Sequence, residues 1–107
     1  MFALSTSWNA NTSGSGKQVV EEIRNLGFDC IELCFSHTKK DLNQICNNQG
    51  IRVTSLHNFC PIPDGLTRKK ALPDCFSLSS PDNIEREKAV KFSKRTILSA
   101  QKLKAKA

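Results

Sequence analysis

The stretch Leu26-Gly27-Phe28-Asp29-Cys30-Ile31-Glu32-Leu33 decides the fold expected for this chain. It is typical of a helix that ends at Gly27, where a positive φ costs glycine little, followed at once by a short apolar strand. That strand carries one carboxylate, and a buried strand has no cheap place for a charge. Glu32 is therefore expected at the end of the strand, in a polar or wet site, or paired with another group.

The same order of helix, glycine and strand recurs along the chain, with Gly50 in the place of Gly27. Hydrophobic periodicity and capping residues set the expected bounds of each element. The expected elements are strand one over 2–7, helix one over 17–26, strand two over 29–35, helix two from a Thr38 cap to about Asn48, strand three over 51–57, and helix three over 81–102, with Ser80 as its N-cap and Pro81 as its first residue.

Each expected helix has an apolar side, and that of helix three is the weakest. The side chains expected to face the core are Val19, Val20, Ile23 and Leu26 on helix one, Leu42, Ile45 and Cys46 on helix two, and Ile84, Ala89, Val90, Ile97 and Leu98 on helix three.

This order predicts an α/β fold with a parallel βαβαβα layer, because parallel strands are joined by right-handed helical crossovers. Strand starts near residues 2, 29 and 51 give a rhythm of about 20-odd residues, which fits the βα units of a barrel. The polar stretch over 59–79 is predicted to be a long loop. The segment over 13–17 resembles a phosphate-binding loop but lacks its first glycine and its final Ser or Thr, so it is expected to be a flexible connector.

The chain has 107 residues and a net charge of +6, which bound it to one small basic domain. The net charge of residues 1–60 is zero, so the whole excess of +6 lies in residues 61–107, and from Lys88 onward every charged residue is basic. Two interpretations stay open: a nucleic-acid or phosphate-binding face, or a solvated helix whose lysines favour its C-terminus. Only Phe92 interleaves with these lysines, which weakens the first interpretation.

Five cysteines without a Cys-x-x-Cys pair favour free intracellular thiols, with Cys30 and Cys34 as small buried hydrophobes. No apolar run approaches the roughly 20 residues of a membrane span, and no signal peptide is evident. A cytoplasmic protein without membrane contact is expected.

Polar residues follow all three expected strands, where parallel α/β folds place their binding sites. His57 is the strongest catalytic candidate because imidazole acts as acid, base or ligand near neutral pH; the alternative is a hydrogen-bonded structural histidine. Glu32 is the second, as a base, a hydroxyl acceptor or a structural ion-pair partner. Trp8 and Asn58 are expected to be substrate-binding pocket walls, and His37 is interpreted as a surface or capping residue.

Three motifs carry a resemblance to a known superfamily. The stretch from Gly27 to Leu33 resembles the second strand of xylose isomerase-like TIM barrels, which include sugar phosphate isomerases and epimerases and the endonuclease IV group. Ser55-Leu56-His57-Asn58-Phe59-Cys60-Pro61 is similar to the third strand and its loop. Ser79-Ser80-Pro81-Asp82 with Arg86-Glu87 and Ala89-Val90 is similar to the start of the next helix.

The resemblance implies a (β/α)8 barrel with a divalent metal, Mn, Mg or Zn, at its C-terminal face. It implies aldose–ketose isomerisation or epimerisation of a sugar or sugar phosphate or, in the endonuclease branch, cleavage at abasic DNA sites. His57 matches the third-strand histidine and Glu32 the second-strand glutamate. A barrel needs about 250 residues, so the chain is expected to be a single domain, 1–107, holding the first three units of an incomplete barrel.

Three hypotheses follow. In the first, the chain is the N-terminal part of an isomerase or epimerase whose later strands carry the metal ligands, so alone it binds no metal and is inactive. In the second, it is a basic nucleic-acid-binding piece, whose binding would weaken with salt and on neutralising Lys91, Lys94 and Arg95. In the third, it is a non-catalytic protein that associates through two open sheet edges.

Overall fold

A computed structural model describes residues 2–47, 50–72 and 75–107. Three strands form one parallel sheet in the order β1-β2-β3, so the predicted α/β class and the central place of β2 are confirmed. Continuation of this layer into a barrel stays a prediction. The elements are β1 Leu4–Ser5, α1 Gly16–Asn25, β2 Cys30–Leu33, α2 Lys39–Cys46, β3 Arg52–Leu56 and α3 Asn83–Lys102.

The first strand is shorter than predicted. Only Leu4 and Ser5 pair with β2, and Thr6–Trp8 form a 3-10 turn. The Ser5 side chain caps this turn by accepting a hydrogen bond from the Ser7 backbone N–H. The alternation of large and small residues over 2–7 therefore overstated the strand, because a local serine cap ended it early.

Capping residues fix where the helices begin. Thr38 and Asp41 form the predicted capping box of α2, each side chain accepting from the other residue's backbone N–H. The predicted start of α3 is wrong, because Asp82 is the cap and its Oδ1 accepts from Ile84 N at 2.9 Å. Ser80 instead accepts from Asp82 N, in the turn before the helix. The predicted last residue of helix two, Asn48, lies outside the described residues, as does Pro73 of the long loop.

One apolar cluster lies between the sheet and the first two helices. Cys30 and Cys34 are buried, as predicted. Leu26 and Cys46 were predicted to be inward but are exposed, since each lies at the very end of its helix, beyond the turn that packs on the sheet. The cluster comprises Val19, Val20, Ile23, Ile31, Leu33, Leu42, Ile45, Val53 and Cys60.

The predicted inward face of α3 is wrong except at Ala89. The helix buries Ala89, Phe92 and Thr96, which lie three and four residues apart. Phe92 packs against Phe59 and Phe76, and the Thr96 hydroxyl accepts from Cys60 N at 2.9 Å. This aromatic contact sets the rotation of the helix, and it leaves four predicted core residues exposed: Ile84, Val90, Ile97 and Leu98.

The loop before α1 is packed rather than a flexible connector. Gly16 N donates to Gln44 Oε1 of α2 at 2.9 Å. A Cβ at Gly16 would meet the Asp41 carbonyl oxygen at 2.5 Å, so α1 and α2 approach closely only because this residue is glycine.

The outer edge of β3 is not open. Thr54 O accepts from the backbone N–H groups of Lys106 and Ala107, and Leu56 N donates to Ala107 O at 3.0 Å. The expectation of two open edges is therefore wrong at β3. Within the described ranges, no helix has the length and apolar character needed to cross a membrane.

Candidate functional site

A polar row crosses the sheet at the level of Glu32. Register pairs Glu32 of β2 with Ser5 of β1 and with Ser55 of β3. The Ser55 hydroxyl donates to Glu32 Oε2 at 2.9 Å, and Ser5 is a further hydrogen-bond partner of this carboxylate. His57 follows the end of β3, and its Nε2 lies 3.0 Å from Glu32 Oε1. Parallel strands thus bring Glu32 and His57 together at one end of the sheet, as the sequence predicted.

A bulge sets this alignment. The register between β2 and β3 shifts between Ile31 and Glu32, so Ser55 rather than Thr54 lies opposite Glu32. Thr54 Oγ1 instead donates to the Ile31 carbonyl at 3.1 Å. Bulges of this kind redirect side chains near functional sites. Here the bulge places a hydroxyl donor opposite the carboxylate.

The pair is partly open to solvent, with the side chains of His57 and Glu32 43% and 38% exposed. The Ser55 hydrogen bond is the main cause of a lowered pKa of Glu32; partial burial opposes it, and the hydrogen bond and charge of His57 add to it. Glu32 is therefore an ionised acceptor at neutral pH, which assigns the proton of the contact to His57 Nε2. In a neutral ring, Nδ1 is then the acceptor nitrogen.

The two predicted pocket walls are not joined to this pair. Asn58 Nδ2 donates to Ser93 Oγ at 2.8 Å and so ties the end of β3 to α3. Trp8 is 56% exposed, and no hydrogen bond or ring contact within the described residues connects it to Glu32 or His57. The ring of Phe35 does contact His57, edge to face, with centroids 6.3 Å apart.

Ser5, Ser55 and Phe35 are the site residues that the sequence analysis missed. Ser55 lies two residues before His57, and side chains two apart in a strand point to the same face of the sheet. This spacing was the signal that could have identified Ser55. Ser5 could be placed only with the register between β1 and β2, which the sequence does not contain.

His37 was predicted to be a surface or capping residue, and that prediction is wrong. Its side chain is 1% exposed, and Nε2 lies 2.7 Å from Thr6 Oγ1. Burial lowers the pKa of His37 to about 4; Asp41 opposes this shift and Arg68 adds to it. The residue is held just before α2, because its carbonyl accepts from Ile62 N and its ring contacts Thr6. His37 is therefore a neutral imidazole at neutral pH, and it belongs to a buried network.

Asp41 is the charged member of that network. Its Oδ2 accepts from Thr38 N at 2.9 Å and from Arg68 Nη2 at 2.5 Å, and it lies 3.9 Å from His37 Nδ1. Arg68 Nη1 also donates to the Ala10 carbonyl at 3.0 Å. The network therefore joins the first loop, α2 and the long loop.

The donors present do not complete a metal site. Catalytic metal centres such as those of zinc enzymes use about three protein ligands, whereas Glu32 and His57 supply two, and those two bond to each other. Across residues 2–47, 50–72 and 75–107 there is no group of three or more His, Cys, Asp or Glu side chains placed to hold an ion. The metal implied by the resemblance is therefore given no role in the chemistry derived from these residues.

The site is thus a solvent-accessible carboxylate–imidazole pair with two serine neighbours, suited to proton transfer and to binding hydroxyl groups. Comparison with protein-family models, curated proteins and solved structures finds no match for this chain.

Proposed function

We propose that this chain supplies part of the active site of a sugar isomerase or epimerase, in which Glu32 and His57 handle the proton beside the carbonyl. One observation carries the proposal: the 3.0 Å contact between His57 Nε2 and Glu32 Oε1 at the ends of adjacent parallel strands, with both side chains accessible. Most enzymatic acids and bases need this combination of hydrogen-bonded orientation and access to substrate.

The proposed chemistry begins at His57 Nδ1. Aldose–ketose isomerisation and epimerisation remove a proton from a carbon next to a carbonyl and return it to a carbon. Nδ1 of neutral His57 accepts that proton, and the resulting imidazolium is stabilised by the adjacent Glu32 carboxylate. The proton then leaves Nδ1 for the product, which restores the neutral ring. Ser55 keeps Glu32 ionised throughout this cycle.

The pair alone is an incomplete catalyst. The negative charge that develops on the carbonyl oxygen needs a donor or cation to stabilise it, and such a group usually contributes the largest share of catalysis. The proposal places that group on further strands of a barrel. The chain by itself is therefore expected to bind sugars weakly without turnover.

Sugar titration followed by NMR tests the proposal. D-Xylose and D-fructose, each with and without a phosphate, are added to isotopically labelled protein, and the backbone amide signals of the neighbouring residues Leu33 and Ser55, which every variant retains, are monitored. Shifts at millimolar sugar that disappear in His57→Gln and Glu32→Gln support the proposal. Glu21→Gln is the matched control, because Glu21 is a solvent-exposed helix residue.

Two outcomes would contradict it. Sugar-induced shifts that survive both substitutions would show that the sugar binds elsewhere. Absence of shifts at saturating sugar would show that the Glu32–His57 pair does not bind sugar. Robust turnover by the 107-residue chain with Mn²⁺ or Mg²⁺ would overturn the incomplete-site part alone.

Nucleic-acid binding is the second prediction, and the structure offers it little support. The stacked rings of Phe76 and Phe92 are covered by Lys88, Lys91 and Arg95, so these aromatic faces do not form an open stacking platform. At these two rings, base stacking therefore does not add to the charge attraction of the lysines.

A further inference from the structure

A cavity of about 230 Å³ lies between α2 and α3, and it shares no lining residue with the Glu32–His57 pair. Its apolar lining includes Leu42, Leu98 and Leu103. Leu42 belongs to the main core, whereas Leu98 is 63% exposed, so the cavity runs from the core surface to solvent.

Three cations, Lys39, Arg95 and Lys102, line the same cavity, and none of its lining residues is acidic. Arg95 is partly neutralised by exposed Asp64, with Nη1 and Oδ1 2.9 Å apart, and its Nη2 donates to the Ile62 carbonyl. Lys102 Nζ donates to a neutral group, Asn43 Oδ1, at 3.2 Å, and keeps its positive charge at the cavity wall. The cavity therefore combines an apolar wall with an excess of positive charge.

Arg95 also has a donor to spare. Its Nε is buried and has no hydrogen-bond partner among the described residues. A buried polar atom without a partner is uncommon and calls for an explanation. An anion in the cavity would be attracted by the positive charge of the Arg95 guanidinium, and charge-assisted hydrogen bonds to guanidinium groups are among the stronger ones.

We propose that this cavity binds a small amphipathic carboxylate, with its chain against Leu98 and Leu103 and its head group among Lys39, Arg95 and Lys102. Its volume is below the roughly 300–1,000 Å³ of drug-sized ligand sites, which favours a ligand of this small size. The apolar wall excludes a simple inorganic anion as the preferred occupant, and the cationic lining excludes a neutral hydrocarbon.

Cys46 provides a reporter, because it lines the cavity and is exposed, while Cys30, Cys34 and Cys60 are buried and Cys75 is only partly accessible. The experiment measures alkylation of Cys46 by iodoacetamide, followed by mass spectrometry, with sodium octanoate as the probe. Octanoate is expected to slow the alkylation of Cys46 in a saturable way at millimolar concentration and to leave Cys75 unaffected. Acetate and octanamide, which each lack one half of the ligand chemistry, are expected to protect far less.

Matched variants assign the contacts. Leu98→Ala and Lys102→Gln are expected to weaken octanoate protection by about threefold or more, given the loss of one apolar contact or one ion pair. Ile97→Ala and Lys94→Gln are the controls, because both residues are exposed on the same helix and neither lines the cavity.

Saturable protection that falls in the two cavity variants but not in the two controls supports the proposal. Absence of protection, equal protection by acetate, or equal weakening by the control variants would overturn it. Because Leu98 and Lys102 are exposed, their substitution is expected to leave the folded state intact, and circular dichroism checks this.

Discussion

The chain contains two histidine–carboxylate pairs near the carboxyl end of β2, and they differ chiefly in burial. Glu32 and His57 are 3.0 Å apart, with side chains 38% and 43% exposed. His37 and Asp41 are 3.9 Å apart, with side chains 1% and 6% exposed. The first pair faces solvent at the sheet end, and the second is buried at the start of α2.

The two pairs also hold their protons on opposite nitrogens. Glu32 accepts from Nε2 of His57, whereas Nε2 of His37 faces the Thr6 hydroxyl, which itself accepts from Cys34 N at 3.0 Å. We assign the Thr6 proton to His37 Nε2, which places the ring proton on Nδ1 toward Asp41. Exposure thus leaves the chemistry of one imidazole available, while burial commits the other to holding loops together.

The largest expected difference between the pairs appears when each carboxylate is neutralised. Asp41→Asn leaves Arg68 without its charged partner and weakens the contact to His37 and the cap of α2. We expect the free energy of unfolding to fall by about 2–4 kcal/mol, toward the lower end because Arg68 is itself one-third exposed. Urea denaturation followed by circular dichroism measures this.

Glu32→Gln is the matched change in the exposed pair, and it is expected to alter the free energy of unfolding by less than about 1 kcal/mol. Equal losses for Asp41→Asn and Glu32→Gln would show that burial does not distinguish the two pairs.

Acid should act on the buried pair first. The pKa of His37 is about 4 in the folded protein, against an ordinary value of 6.5, because burial disfavours its charged form. The unfolded chain therefore binds more protons between pH 6.5 and 4, and stability falls as the pH drops through this window. The full contribution is about 3 kcal/mol at 1.36 kcal/mol per pKa unit, measured by urea denaturation at each pH.

The lowered pKa of Glu32 acts in a separate window, since its contribution is lost only as the pH falls below the ordinary glutamate value of 4.5. His37→Gln should flatten the stability profile between pH 6.5 and 4. Should His37→Gln fail to fold, NMR of the unmodified chain decides. A His37 ring already protonated at pH 6 would contradict the assignment.

Each pair has a neighbouring hydroxyl, that of Thr6 beside His37 and that of Ser55 beside Glu32, and removing each one sharpens the comparison further. Thr6→Val keeps the side-chain shape but leaves His37 Nε2 and Cys34 N buried without their partner. The expected loss of stability is about 2 kcal/mol. Ser55→Ala removes one partly exposed donor and should cost less than about 1 kcal/mol. Thermal denaturation of both variants gives the ranking, and a larger loss for Ser55→Ala would reverse our view of the two networks.

The exposed pair was predictable from sequence and the buried one was not, for a physical reason. Glu32 and His57 follow regular, parallel strands, so topology alone brings them to one end of the sheet. His37 lies in a short connection, and its burial depends on Thr6 from the first loop and Arg68 from the third. Such contacts between loops leave no periodic signal in the sequence.

The same distinction explains the error at α3. Hydrophobic periodicity correctly predicted a helix here. It did not predict which side of the helix is buried, because the apolar residues are spread around the helix. Contact of Phe92 with Phe59 and Phe76 then selected the buried face. That choice depends on where a 20-odd-residue loop places two distant rings, which hydrophobic spacing within the helix does not encode.

The smallest expected effect concerns the proton affinity of the exposed pair. Ser55→Ala removes the largest cause of the lowered pKa of Glu32, so that pKa should rise toward 4.5 while the His57 contact holds part of the shift. Carbon-13 NMR of the Glu32 carboxyl group across a pH titration measures it. A pKa unchanged in Ser55→Ala but raised in His57→Gln would make His57 the main partner of Glu32. Ser5 and Ser55 would then not set the pKa of Glu32, and the two histidine–carboxylate pairs would differ in burial alone.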